Sequence, residues 1–576
     1  MKDFFAELKR RHVFRVGIAY LVMAWLVVQV VAAVSAPLHL PDWTASFIIV
    51  VLAVGFPIAL LLTWGFEMTP EGVKRSDAAP TKPEPMAEPE PAISATVSTT
   101  PSIAVLPFVN MSADKDQEYF SDGLSEELLN KLAGLKGLRV AGRTSSFHFK
   151  GKNENLRTIA GTLGVAHILE GSVRKSGDKV RITAQLIDAC DDAHLWSNTY
   201  ERTLDDIFAI QDEIAEGVAK ALSVTLGVGD LGHIEGMTRN VEAYDAYLRG
   251  RAQVTMSADR STQLGQNPLL ERAVQIDPNY AQAWAAIYVE NEVGRFLSDP
   301  LEAAKINARA ERALARAVEI APDAADVLSA SARSAMGRGA WTEADRLYRK
   351  AIDRHGNAAL ALDYGQFLLG AGKAKEALDY LLDALRIEPL SMMVHIYLCL
   401  AYGALGRISE ALAESDRAES TDGPKGMQRG ATLVVALAQG DRAEIKRRGA
   451  LVVEADPTGR AINGAMLSLL DDPKKALDTL HGLFNDSENA SQLRRWAIAA
   501  WAAYFGDTEL ALMSLKETVI NNFFNLVNLW QPVLAETRRS PGFKDLLREI
   551  GLVDYWRETG WSDFCHPVGD NDFECE

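Results

Sequence analysis

The feature that most constrains this chain is a set of small and aromatic residues recurring every 33 or 34 positions. In the clearest copy, Ala377, Leu381 and Ala384 are followed by Pro389. One step back stand Ala344, Tyr348, Ala351 and Gly356, and before them Ala310, Leu314, Ala317 and Pro322. One step forward are Ala411, Ser415, Ala418 and Gly423, and Pro457 falls 34 after Gly423. Spacings of three and four put the first three residues of each set on one helix face. Small residues there admit a close neighbouring helix, and Pro or Gly then ends the helix and turns the chain. Another apolar helix precedes each, as at Ala361, Tyr364, Gly365 and Leu368. Two helices per step, stacked pair on pair, predict an all-α solenoid over 241–539. A non-repeating helical bundle has no reason to keep four units in register.

The pattern resembles the tetratricopeptide repeat, closely from Ala310 to Pro389, less well from Ala411 to Pro457 and loosely beyond. In that family the first helix of each pair lines a concave surface that takes peptides or partner helices. By repeat register, the resemblance places Asp326, Arg333 and Met336 of one unit on that groove. Leu362, Gln366 and Leu369 follow in the next unit, and Met393, Ile396 and Leu400 in the third. Two of these three units offer mostly apolar side chains. The implied partner is therefore an apolar segment or amphipathic helix and not an acidic tail, and flexible Met suits such a surface. The rival reading packs the same residues against the chain's own α/β domain or inside the solenoid.

The N-terminal part reads differently. Residues 1–15 are basic, with Lys2, Lys9, Arg10, Arg11 and Arg15. Residues 16–36 and 44–66 are uncharged and each long enough to cross a bilayer, which takes about 20 residues. They predict a two-helix transmembrane hairpin (16–66), with Trp43 and Trp64 at interfacial depth. Val34-Ser35-Ala36 looks like a signal-peptide cleavage site, but the apolar core is too long and a second span follows at once. Lys74 and Arg75 balance the basic N-terminus. The charge rule thus puts both ends, and the soluble domains, on the cytoplasmic side of a bacterial inner membrane, with the periplasm as the alternative. Residues 67–101 hold Pro80, Pro83, Pro85, Pro89, Pro91 and Pro101 and read as an extended linker.

From 102 to 226 the pattern is α/β. Ile103–Phe108 reads as a strand, Ser121–Leu135 as a helix, Leu138–Val140 as a strand and Leu156–Leu163 as a helix closed by Gly164. His167–Val173, Val180–Ile187 and His194–Tyr200 read as three successive strands, with a turn at Ser176–Lys179. An amphipathic helix ends the segment, with Ile207, Ile210, Ile214, Val218 and Leu222 on one face. Ile103-Ala104-Val105-Leu106-Pro107-Phe108, Tyr119–Gly123, Leu169–Val173, Ala184–Asp188 and Leu195-Trp196-Ser197 with Asp206-Ile207-Phe208 together resemble the amino-terminal domain of TolB. Such domains occur in bacterial envelope and regulatory proteins and often precede tetratricopeptide repeats. Some are joined to class III nucleotide cyclases, so the name adenylate cyclase attaches to proteins of this kind. The resemblance covers the companion regions and not a cyclase domain, which needs two metal-binding carboxylates on its own sheet.

Composition narrows the classes further. A net charge of −17 disfavours non-specific nucleic-acid binding. Four cysteines in 576 residues are too few for a disulfide scaffold. Gly227-Val228-Gly229-Asp230-Leu231-Gly232 spells GxGxxG but follows a helix, so it reads as a joint (227–240) and not a dinucleotide site. No cofactor, metal or catalytic residue is indicated. Residues 540–576 should cap the last helices through Trp561, Phe564 and Phe573. Cys565 and Cys575, ten apart there, would pair in an oxidising compartment and stay reduced in the cytoplasm. The expected protein is a non-enzymatic, membrane-anchored scaffold that binds protein partners, with homo-oligomers left open. The alternatives are a cyclase-related signalling enzyme and an envelope-assembly subunit.

Overall fold

The computed structural model describes Leu52, residues 66–69 and 72–75, and most of 101–576. Within the last range it leaves out 115–116, 136, 153, 225–235, 257–266, 298–299, 422–424, 456–459, 487–491, 520–525 and 570. The chain divides into two units, Met1–Thr96 and Val97–Glu576. In the first, β1 (Phe66–Thr69) and β2 (Gly72–Arg75) form an antiparallel pair, with Phe66 opposite Arg75 and Thr69 opposite Gly72.

The expected two-helix transmembrane hairpin is corrected here. Its spans lie outside the described residues except at Leu52 and Phe66, and Phe66 opens a strand instead of closing a helix. Among the described residues no helix is long and apolar enough to cross a membrane. The stretch from Phe66 to Arg75 carries Glu67, Glu71, Lys74 and Arg75, which suits a bilayer poorly, and its strands bond to each other. The expected linker and most of the Gly-rich joint also fall outside the described residues.

The second unit begins with a sheet. β3 (Ser102–Val105) lies between β5 (Arg139–Val140) and β6 (His167–Ser176), all three parallel. From β6 the sheet continues antiparallel through β7 (Lys179–Asp188) to β8 (Ala193–Thr203), while the short β4 (Val109–Asn110) also pairs with β6. The predicted strand 103–108 is thus two strands, broken at Leu106-Pro107-Phe108, because Pro107 has no N–H for the ladder. Helices α1 (Glu118–Ala133) and α4 (Ile207–Ala221) cover one face, packing on Ile103, Val105, Ile182 and Leu186. On the other face Ala104, Leu106 and Ile168 meet Ile159 and Leu163 of α3 (Leu156–Leu163). Burial on both faces explains the nearly unbroken apolar run of β3. Gly171 is required by crowding: a Cβ there would stand 2.3 Å from the Thr183 carbonyl oxygen and 2.5 Å from the Phe108 ring. A short helix, α2 (Arg143–Phe147), was not legible in the sequence.

Helices then follow in pairs: α5 (Val241–Met256), α6 (Pro268–Ile276), α7 (Ala281–Leu297), α8 (Pro300–Ile320), α9 (Ala325–Gly337) and α10 (Trp341–His355). Next come α11 (Ala358–Gly370), α12 (Ala374–Ile387), α13 (Met392–Ala404), α14 (Ile408–Ser420), α15 (Lys425–Gln439) and α16 (Arg442–Ala455). The last are α17 (Arg460–Ser468), α18 (Pro473–Asn485), α19 (Gln492–Tyr504) and α20 (Thr508–Val519). The first helices α9, α11, α13 and α15 start 33 or 34 residues apart. The repeating positions are the packing seam: Ala344, Tyr348, Ala351, Ala377, Leu381, Ala384, Ala411 and Ala418 are all fully buried. Gly365 lets α11 approach α12, since a Cβ there would fall 2.8 Å from Leu381 Cγ.

Beyond α20 the chain carries α21 (Ala535–Arg538), α22 (Pro541–Glu549), α23 (Leu552–Thr559) and a hairpin of β9 (Cys565–Val568) and β10 (Asp572–Cys575). Cys565 and Cys575 are register partners and are joined by a disulfide. This end does not stop at the last helices, as the sequence led us to expect; it folds back to the middle of the array, where the Trp341 indole donates to the Ile550 carbonyl at 2.7 Å.

The seam makes a direct prediction. Leu381→Ala removes a fully buried side chain between two helices and should cost about 2–5 kcal/mol. Exposed Asp379→Ala should stay within about 0.5 kcal/mol. Urea unfolding of residues 97–576 followed by far-UV circular dichroism reads both.

Candidate interaction surface

The sequence-assigned groove residues occupy the first helices of three successive pairs, and the structure differentiates them sharply. Asp326 on α9 is exposed, and Arg333 on α9, Leu362 on α11 and Met393 on α13 are half-buried. Met336, Gln366, Leu369, Ile396 and Leu400 are buried. Every residue from Tyr364 to Ala374 and from Val394 to Ala404 is buried. Helix segments buried all round must be enclosed on all sides; the C-terminal arm supplies part of that enclosure, while the α/β domain covers α5 and the turn after α12.

One cover is the α/β domain. Tyr119 of α1 donates its hydroxyl proton to Asp245 of α5 and receives a hydrogen bond from Arg249. Glu126 of α1 is gripped twice, by Arg143 at 2.8 Å and by Arg251 of α5 at 3.2 Å. At the other end the Gly142 N–H donates to the Ile387 carbonyl at 2.9 Å. The Thr144 and Ser145 amides donate to the Glu388 carboxylate at 3.1 and 2.7 Å, and the Leu390 amide donates to Ser145 Oγ at 2.9 Å. The domain therefore spans from α5 to the turn between α12 and α13.

The other cover is the C-terminal arm. The last carbonyls of a helix have no partner within it. Here the Trp530 indole N–H donates to the Gly370 carbonyl at 3.0 Å, and the Trp556 indole N–H to the Ala371 carbonyl at 2.8 Å. The Gln531 amide donates to the Leu400 carbonyl at 2.8 Å. Phe564 stacks on Trp530, with ring centroids 5.3 Å apart. Arg538 donates to the carbonyls of Leu529 and Gln531 at 3.1 and 2.8 Å, fixing the arm's own bend. Register could not reveal these donors. The available signal was the apolar run Leu526–Trp530, which falls outside the repeat pattern.

Charges knit the inner row together. Arg333 pairs with Glu292 of α7 and Asp363 of α11, and Ser329 donates to the same Asp363 at 2.7 Å. Burial works against the guanidinium charge, but Asp363 outweighs it with help from Tyr348 and Glu292, so its pKa is raised. Under the α/β domain the balance is different. Burial opposes the Glu126 charge, yet Arg251 and Arg143 hold its pKa below the usual carboxylate range. Glu127, beside it, is buried and its Oε2 has no hydrogen-bond partner. Burial, and then the negative charges of Glu126 and Asp326, push its pKa up to about 8. Elsewhere, Arg349, Lys350 and Arg354 line a basic depression on α10, but they are already paired with Asp345, Glu376 and Asp323. Among the described residues no three His, Cys, Asp or Glu side chains are grouped as a metal site requires.

Residues 98–217 match the family model of the HilA/YgeH-like transcriptional regulator, second domain. A protein of Rhizobium meliloti named putative adenylate cyclase 3 is 41% identical over 214 residues, 37% of this chain and 36% of that protein. The chain thus spans about a third of that relative's length. Among solved structures, TolB from Acinetobacter baumannii aligns over 23% of this chain and 31% of its own, at 16% identity and a TM-score of 0.17. The P58(IPK) TPR domain aligns over 55% of this chain and 99% of its own, at 10% identity and a TM-score of 0.19.

The raised Glu127 pKa sets a pH dependence. Between the ordinary carboxylate value and about 8, the folded protein holds a proton that the unfolded chain has released. Stability therefore falls as pH rises through that window and levels off above it, by at most about 1.4 kcal/mol per pH unit from this one group. Glu127→Gln should flatten the melting temperature of residues 97–576 between pH 5 and pH 8 relative to wild type. Parallel pH profiles for the two proteins would contradict the assignment.

Proposed function

We propose that this protein is a non-enzymatic scaffold that binds other proteins through its helical repeats. The observation that carries the reading is the run of helix pairs at a step of 33 or 34 residues, sealed by the buried small–large–small seam. Such arrays present extended surfaces assembled from successive units. The match of residues 98–217 to a domain of transcriptional regulators supports a regulatory setting for the α/β part. The partner chemistry proposed for the first helices is apolar, after Met336, Leu362, Leu369, Met393, Ile396 and Leu400. Adenylate cyclase in the relative's name belongs to a protein of which this chain matches about a third. Here the described residues from 101 onward form a small sheet domain and helix pairs.

Two measurements test the reading. Incubated with ATP or GTP and a divalent cation, residues 97–576 should form no cyclic nucleotide above a blank; sustained turnover would contradict the proposal. Cross-linking in the native cell, followed by mass spectrometry, should map one protein partner to helices α9–α18. Cross-links confined to the chain itself would count against a scaffold.

A further inference from the structure

We propose that the C-terminal segment Leu526–Leu534 is an intramolecular ligand of the repeat array, seated where a partner of the same chemistry would bind: a tightly turned apolar segment carrying an indole and a carboxamide donor. The inference rests on the scaffold reading and specifies what the array recognises.

The argument begins with unmet hydrogen-bond acceptors. α11 ends in apolar surroundings, and its terminal carbonyl needs a donor from elsewhere. Trp530 supplies that donor at Gly370, and Gln531, adjacent in sequence, adds a second hydrogen bond to the Leu400 carbonyl in the last turns of α13. The helix ends are shaped for this occupant. A Cβ on Gly403 would lie 2.7 Å from Gln531 Oε1, and one on Gly372 would lie 2.9 Å from the Trp530 ring. Leu526, Val527 and Leu529 are buried beside them, in the same core as Leu369, Ile396 and Leu400. The segment therefore reads the array by backbone carbonyls and apolar contact, without using a charge. The arm on its C-terminal side clamps it in place: Arg538 donates to the Leu529 and Gln531 carbonyls and to the Glu576 carbonyl at 2.7 Å, beside the Cys565–Cys575 disulfide. A competing partner needs the same pair of donors on an apolar, tightly turned segment, and any loosening of the arm favours it.

The test uses the full chain and a fluorescent peptide of the sequence Leu526–Leu534, read by anisotropy. Two variants loosen the arm differently: Trp530→Ala with Gln531→Ala removes the donors, and Cys565→Ser with Cys575→Ser opens the hairpin while leaving the donors in place. The peptide should bind each variant at least tenfold more tightly than wild type. A peptide with Ala at the Trp and Gln positions should not bind. The proposal is overturned if the cysteine variant melts cooperatively and shows no gain. It is also overturned if both variants lose cooperative melting, because the segment is then core and not ligand. Cross-linking to a partner with no peptide binding would sink only this inference; peptide binding without any partner would sink the scaffold reading instead.

Discussion

Two helix segments that are buried on every side set the terms for the rest of this molecule. The later turns of α11 and α13 cannot face water along any stripe, since every residue of Tyr364–Ala374 and Val394–Ala404 is buried. A repeat array alone covers such helices only on the sides where neighbouring pairs stack. The remaining sides must be closed by chain from outside the repeats, and the C-terminal arm is recruited for it. The α/β domain reaches the turn after α12 through Gly142, Thr144 and Ser145, and the C-terminal arm reaches the ends of α11 and α13 through Trp530, Gln531 and Trp556.

The two covers differ in chemistry. The indole and amide donors of the arm are neutral and meet main-chain carbonyls whose need for a partner does not vary with pH. The α/β contact is charged: Glu126, Glu127 and Asp326 face Arg143 and Arg251, near Tyr244, Tyr247 and Tyr280. Burial outweighs the downward pull of Lys131 and Arg251 on the Glu127 pKa, and Glu127 Oε2 has no hydrogen-bond partner.

The sequence exposed what is local and periodic and hid what is distant. Helix α3 was legible to the residue, because Asn155 accepts a hydrogen bond from the Arg157 amide at its start and Gly164 takes a left-handed φ of 63° at its end. The seam Ala377, Leu381 and Ala384 was legible because the repeat states it several times. α2 has five residues and no period to read. The inner row followed from register, but its burial did not, since Leu400 meets Gln531 across a separation of 131 residues. Hydropathy gave long apolar stretches near the N-terminus, yet the described structure there is a polar strand pair. The cap at the C-terminus was read from its aromatics, but its target lies among the middle helices, because Gly370 and Ala371 offer the free carbonyls.

The central claim is that the inner helices and the arm form one closed body. Native-state hydrogen exchange on residues 97–576 tests it most directly. The account predicts that amides of α11, α13 and Leu526–Leu534 are all deeply protected, with those of Leu526–Leu534 released first as denaturant is raised. Rapid exchange across Leu526–Leu534 while α11 and α13 stay protected would contradict it.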